Sequence, residues 1–316
     1  MGTIRLLHLS DLHIVDKYKI YNQIHGLSVC EPYAMKALSQ FVYVNKEAID
    51  AILISGDIVH AGTNNYLNRA VEFLVSPTGF SPKEPWLNVN RRPTLQTFQK
   101  RVVVVPGNHD RFDGRLSLPN GRQFDVYFLH FWSAGAGGVQ DFHLPNEIEP
   151  LLTIICADFT LESFLHCIPA GHWGQGKVYQ ERLQRVVQLT EEVFASKPKR
   201  AVIWMFHFAP QFEDHCNSRI SDGLIKLLDS ELLIEEAERI GIGYILCGHT
   251  HRYCIYRIGT QEKVKVYCAG TSTCIVSNED TVIHLLEIEI EEGIVENFRY
   301  LPCRWNPNKL IFETTI

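Results

Sequence analysis

Ile4-Arg5-Leu6-Leu7-His8-Leu9-Ser10-Asp11-Leu12-His13 is an apolar run the length of a buried strand, and it stops on a carboxylate and an imidazole. The same grammar returns along the chain. Run 51–54 leads into Ser55-Gly56-Asp57, and run 102–105 into Pro106-Gly107-Asn108-His109-Asp110. Run 201–206 leads directly into His207, and run 244–247 into Gly248-His249-Thr250-His251. A sixth run, 152–156, has the same apolar character. Five of the six end in a side chain able to hold a metal.

Between these runs, segments 32–48, 65–74, 180–195 and 222–240 space their apolar residues helically. The last is expected to start at Ser221 as N-cap, with Leu224, Leu227 and Leu228 on one face. Strand-like runs then follow one another at 253–258, 264–269, 282–290 and 295–301. Alternating strands and helices, then strands alone, predict a layered α/β architecture with at least one large sheet. No composition shift marks a linker, so residues 1–316 are expected to form a single domain. Segments 76–100 and 211–219 are polar or proline-rich and read as insertions, where specificity tends to reside.

Ligands of open α/β sheets collect at the carboxyl ends of the strands. Taken singly, each motif has an ordinary reading: a strand-end Asp caps the next helix, and Gly-Asp or Gly-Asn-His-Asp makes a turn. Together, five segments meet one structural context. Imidazole nitrogen with carboxylate oxygen, and no thiolate, suits manganese, iron or zinc. Two cations about 3.5–4 Å apart need a carboxylate between them, and Asp57 is the natural bridge. Gly56, Gly107 and Gly248 let the backbone turn beside the ions without a Cβ.

Read in order, the five segments resemble the calcineurin-like metallophosphoesterase superfamily, whose pattern of Asp-x-His, Gly-Asp, Gly-Asn-His-Asp/Glu, His and Gly-His-x-His is complete between Asp11 and His251. The resemblance implies a four-layer fold, two central mixed sheets flanked by helices, and a dinuclear site holding two ions, manganese first, with iron or zinc as alternatives. Carried over by position, Asp11, His13 and His251 would hold one ion. Asn108, His207 and His249 would hold the other, with Asp57 shared. A hydroxide between the ions would attack phosphorus, His109 would protonate the leaving oxygen, and Asp110 would orient the His109 ring.

Departures from the pattern narrow the substrate. Protein phosphatases of the superfamily carry Gly-Asp-x-Val-Asp-Arg-Gly; here Gly56-Asp57-Ile58-Val59-His60-Ala61-Gly62 puts alanine at the arginine position. The opening segment is closer to phosphodiesterases and repair exonucleases. His207-Phe208-Ala209-Pro210 keeps only the ends of the His-His-Pro-Pro of cyclic-nucleotide enzymes. The 65 residues after His251 look like completion of the second sheet rather than the cap domain of an exonuclease. A phosphodiester, such as a small nucleotide, is the expected substrate. A nuclease acting on DNA or RNA ends, and a non-catalytic scaffold, are the alternatives. His60, three residues past Asp57, is expected at the rim, in contact with substrate. His8 is expected to be structural.

The formal charge of −6 disfavours a broad grip on nucleic acid. No apolar run approaches the roughly 20 residues of a membrane-crossing helix. The first residues do not read as a secretory signal, and the nine cysteines are scattered, so the chain is expected to be cytoplasmic. Cys156 and Cys247 read as small buried hydrophobes. Oligomeric state is left open by the sequence.

Overall fold

In chain order, β1 (Gly2–Leu9) is followed by α1 (Pro32–Asn45), β2 (Ala51–Ile54), α2 (Asn64–Val75) and β3 (Arg101–Val104). Two short helices, α3 (Asn108–Arg111) and α4 (Arg122–Tyr127), precede the paired strands β4 (Val139–Pro145) and β5 (Pro150–Ala157). Next come β6 (Gly176–Lys177), α5 (Gln180–Ser196), β7 (Ala201–Met205), β8 (Leu227–Leu228), α6 (Ser230–Ile240) and β9 (Tyr244–Cys247). The strands β10 (Cys254–Ile258), β11 (Val264–Cys268), β12 (Val282–Glu291), β13 (Ile294–Asn306) and β14 (Ile311–Thr314) complete the chain order. The computed structural model describes residues 2–15, 31–75, 95, 101–112, 122–145, 150–161, 174–211, 226–274 and 281–314.

These strands build two six-stranded sheets, ordered β14-β13-β12-β1-β2-β3 and β10-β11-β9-β7-β5-β4, with β6 and β8 as a separate pair. In the first, β1, β2 and β3 run parallel; in the second, β5, β7, β9 and β11 do. Both sheets are therefore mixed. The central parallel strands β2, β7 and β9 are continuous apolar runs of the sequence, because both of their faces are covered. Along β5, β7 and β9, Ile154, Ile203 and Leu246 pack into the core shared with the first sheet. Their neighbours Ile155, Trp204 and Ile245 pack instead with Leu183 and Val186 of α5 and Leu233 and Ala237 of α6. Across the first sheet, Ala34 and Leu38 of α1 and Leu67, Ala70 and Phe73 of α2 complete the other helical layer. The order is helix, sheet, sheet, helix, the mixed α/β architecture that the resemblance implied.

Two sequence expectations change. The helix predicted from Ser221 begins at Ser230, because Leu227 and Leu228 pair with Gly176 and Lys177 and Asp229 turns the chain at φ 58°. Ser221 and Leu224 lie outside the described residues. Strand β4 escaped the apolar-run rule because it lies at a sheet edge and carries Gln140, Asp141 and His143. Of the expected insertions, 76–100 apart from residue 95 and 212–219 lie outside the described residues.

His8 is structural, as expected. It is buried in β1 between the Tyr300 hydroxyl (2.8 Å) and the Ser55 hydroxyl (2.9 Å), and burial lowers its pKa to about 3 against a weaker pull from Asp11. His284, opposite it on β12, stacks on Tyr300, and neither of its ring nitrogens has a hydrogen-bond partner. Burial and the neighbouring His8 lower its pKa too. The unfolded chain protonates such histidines near pH 6.5 and the folded chain only well below, so falling pH favours unfolding across that window. Stability is expected to fall as pH drops below about 6.5, by up to about 1.4 kcal/mol per unit for each histidine. Urea unfolding of His284→Phe at pH 7.5 and 5.5 checks this. The variant's stability should depend on pH less steeply than that of the parent; an unchanged slope would show that His284 contributes nothing to the pH dependence.

Candidate metal centre

All seven expected ligands follow the carboxyl ends of parallel strands: Asp11 and His13 after β1, Asp57 after β2, Asn108 at the start of α3 after β3, His207 after β7, and His249 and His251 after β9. The first four come from one sheet and the last three from the other, so the cluster forms where both sheets end. Backbone bonds tie the loops together. The amides of Asp11 and His13 donate to the carbonyls of Gly56 (3.1 Å) and Asp57 (3.0 Å), and Gly248 N donates to the His207 carbonyl (2.9 Å).

The ligand atoms fall into two groups that share Asp57. In one, the donor atoms of Asp11, His13, Asp57 and His251 lie within 4.8 Å of one another; in the other, those of Asp57, His207 and His249 do. Asn108 joins the second group, its Oδ1 lying 3.1 Å from His207 Nε2. Asp57 Oδ2 is 3.2 Å from the same nitrogen.

Three observations fit these groups to cations. Imidazole nitrogens face each other, His13 Nε2 to His251 Nε2 at 3.0 Å and His207 Nε2 to His249 Nδ1 at 3.1 Å, so lone pairs converge on common points. Asp11 Oδ1 is buried without a hydrogen-bond partner, approached by His251 Nε2 at 3.2 Å and His13 Nε2 at 3.8 Å. His207 Nδ1 donates to the Ser55 carbonyl at 2.8 Å, which fixes the tautomer that turns Nε2 inward. The donors are nitrogen and oxygen, a set compatible with manganese, iron or zinc.

Backbone strain is concentrated here. Among the described residues, nine other than glycine have positive φ, and Asp11, His13, Asp57, His249 and His251 are five of them. Each such residue costs about 1–2 kcal/mol, so the fold holds these side chains against local preference. At Gly107 a Cβ would collide with the Asp57 carboxylate, and at Gly248 it would lie 2.7 Å from Asp11 Oδ2. The glycines therefore give the carboxylates room.

Burial opposes charge throughout the cluster, yet the groups compensate one another. Burial would raise the Asp11 and Asp57 carboxyls, but His251 beside the first and His207 beside the second hold both low, Asp11 at about 2. Burial would likewise lower His207, but Asp57 and Asp11 push it up to about 9. His13 is depressed by burial and by the nearby His109, and His249 falls to about 3 through burial and His207. The carboxylates thus favour a proton on His207, a balance of charge that cations would take over with release of that proton.

Beside the two groups, donor atoms of His13, His60 and His109 form a third, also within 4.8 Å. His60 is half-buried, its ring 5.6 Å from that of His109. His109 donates from its amide to Asp57 Oδ1 (2.8 Å) and from ring Nδ1 to the His60 carbonyl (2.7 Å). Asp110, the residue expected to orient the His109 ring, follows it in α3. The Asp110 carboxylate accepts from the amides of Gly107 (2.9 Å) and Val59 (3.0 Å), and the His60 carbonyl is the acceptor that faces the His109 ring. Burial, with Asp57 nearby, raises Asp110 to about 7. Its carboxyl secures the turn that carries Asn108 and His109.

Sequence reasoning passed over Asp158 and Arg111. Asp158 follows β5, the one apolar run without an assigned ligand, so the strand-end rule could have singled it out. Its Oδ2 accepts from Arg111 Nε (2.9 Å) and Nη2 (2.8 Å), and its Oδ1 from Thr160 N (3.0 Å). Burial opposes its charge, but Arg111 and Thr160 hold its pKa below the ordinary value. Arg111 ends the four-residue helix bearing Asn108 and His109, so this buried pair fastens one sheet's loop to the other sheet. Asp158→Ala is expected to cost about 3–5 kcal/mol, the scale of a buried charge stripped of its partner. Urea denaturation measures it; a loss below about 1 kcal/mol would show that Asp125, 2.7 Å from Arg111, suffices.

The sequence profile of the calcineurin-like phosphoesterases matches residues 4–253. No curated protein matches significantly. Among solved structures, a dimetal phosphatase from Danio rerio is similar in fold, with TM-score 0.57 and 12% identity over 95% of each chain. Purple acid phosphatase PPD1 from yellow lupin seeds has TM-score 0.56 and 13% identity over 95% of this chain and 53% of its own. GAP50, the anchor in the inner membrane complex of Plasmodium, has TM-score 0.50 and 13% identity over 96% and 89%.

Proposed function

We propose, on the premise that the chain belongs to the calcineurin-like phosphoesterase family, that it hydrolyses a phosphodiester at a dinuclear metal centre. Asp11, His13 and His251 would hold one ion and Asn108, His207 and His249 the other, with Asp57 between them. When bound, the ions supply Lewis acidity toward the phosphoryl oxygens and a water made nucleophilic near neutral pH. The chain's own residues do the rest. His109, held through its amide by Asp57 and through its ring by the His60 carbonyl, delivers a proton to the leaving oxygen. His60 meets the substrate at the rim. Asp110 acts at one remove, by holding the turn beneath His109.

The observation that carries the reading is the convergence of seven side chains from five strand-end loops on two groups sharing one carboxylate. The preference for a diester rests on the opening segment Leu6 to His13, which resembles the phosphodiesterase branch, and on Ala61, which stands where protein phosphatases of the superfamily place an arginine. Manganese is the preferred ion, with iron or zinc next.

The test strips the protein with a chelator, restores Mn²⁺, and compares bis-p-nitrophenyl phosphate with p-nitrophenyl phosphate. Faster, Mn²⁺-dependent hydrolysis of the diester supports the reading, and a nucleotide screen would come next. A faster monoester reaction overturns the diester preference. Turnover of neither, with two ions bound, moves the chain toward a non-catalytic role. A steeply salt-dependent preference for oligonucleotides would mark a nuclease.

A further inference from the structure

Cys254, Cys268 and Cys247 stand side by side on three adjacent strands. Cys254 of β10 lies directly opposite Cys268 of β11, which lies directly opposite Cys247 of β9. Opposed residues share a face of the sheet, so the three sulfurs stand on one side of it. Cys268 and Cys247 are buried; Cys254 is only half-buried and is the one that a small oxidant reaches first. Directly opposed antiparallel residues have Cα atoms about 4.5–5.5 Å apart, inside the range of about 4.4–6.8 Å that a disulfide spans.

Cys268 also touches the segment that carries two candidate ligands. Its thiol donates to the Gly248 carbonyl at 3.1 Å and lies 3.0 Å from the Thr250 hydroxyl. Gly248 and Thr250 flank His249, and Thr250 precedes His251. The loop after β9 is thus anchored on a sulfur that has a second thiol within bonding reach.

We infer that Cys254 and Cys268 form a reversible, peroxide-responsive disulfide whose closure removes the Cys268 anchor from the His249–His251 loop. Peroxide oxidises Cys254 to a sulfenic acid with release of water. The Cys268 sulfur then attacks it, forming the S–S bond and releasing a second water. Two thiols lose two hydrogens and one peroxide becomes two waters. In a reducing compartment such a bond is transient and is reopened by a dithiol. The coupling of this switch to phosphate-ester hydrolysis rests on the function proposed above; the thiol chemistry does not.

The experiment treats the Mn²⁺-loaded protein with hydrogen peroxide, alkylates the remaining thiols and maps tryptic peptides. Cys254 falls in peptide 253–257, Cys247 in 240–252, and Cys268 with Cys274 in 266–299, where fragmentation separates the last two. A 254–268 crosslink, reversed by dithiothreitol and absent in Cys254→Ser, is the expected result. Full alkylation of both residues after peroxide, or a crosslink from 268 to 247, overturns the pairing. In the oxidised form, manganese retained against a chelator should fall about 10-fold, the scale of a lost supporting contact around a metal ligand. A crosslink that leaves manganese retention unchanged overturns the coupling while the pairing stands.

Discussion

Asp57→Asn is expected to lose metal binding and hydrolysis together, with kcat/KM down by at least roughly 1000-fold, beyond the 10–100-fold that supporting residues cost. Both carboxylate oxygens are engaged. Oδ1 accepts the His109 amide at 2.8 Å, and Oδ2 lies 3.2 Å from His207 Nε2. An asparagine must turn its NH₂ toward one of them. Toward the His109 amide, two donors clash; toward the second ligand group, a donor points where a cation would bind. The substitution also removes the one negative charge common to both groups, so the repulsion between two ions is no longer offset. Manganese content by mass spectrometry, measured beside diester hydrolysis, checks the prediction. A variant with two bound ions and parental turnover would sink the bridging role of Asp57.

The candidate ligand set was legible for a physical reason. A parallel strand covered on both faces reads as an unbroken apolar run, and its carboxyl end is where a polar side chain can stand without being buried unpaired. Runs 51–54 and 244–247 coincide with β2 and β9, and Asp57 and His249 come within three residues of their ends. Features set by tertiary contacts were not legible. Nothing local says that the Asp110 carboxylate turns back to the amides of Gly107 and Val59, or that the His60 carbonyl faces the His109 ring. Those bonds depend on how the loops after β2 and β3 lie together. Leu227 and Leu228 have helical spacing relative to the apolar residues of α6, yet distant Gly176 and Lys177 claim them as a strand. Asp158 lay just beyond a recognised run, but its partner Arg111 belongs to the other sheet's loop, so its role emerges only in three dimensions.

His109→Ala is expected to spare the ions and to slow each substrate according to its leaving group. The bond that braces Asp57 comes from the His109 amide, which alanine keeps, so the bridging carboxylate stays in place. What disappears is the ring, and with it a proton source whose Nε2 lies 3.9 Å from Asp57 Oδ2, on the inner side of the site. General acid catalysis matters most when the departing oxygen is strongly basic, and is worth about 10²–10⁴-fold there. An alkyl leaving group should therefore lose about that much. p-Nitrophenolate departs without needing a proton and should lose less than about 10-fold. The measurement is a series of diesters graded by leaving-group pKa, with manganese content checked in parallel. A steeper dependence on leaving-group pKa in the variant identifies the acid. A uniform loss across the series would instead assign His109 to binding the phosphate, a role its place in the His13–His60–His109 group would also serve.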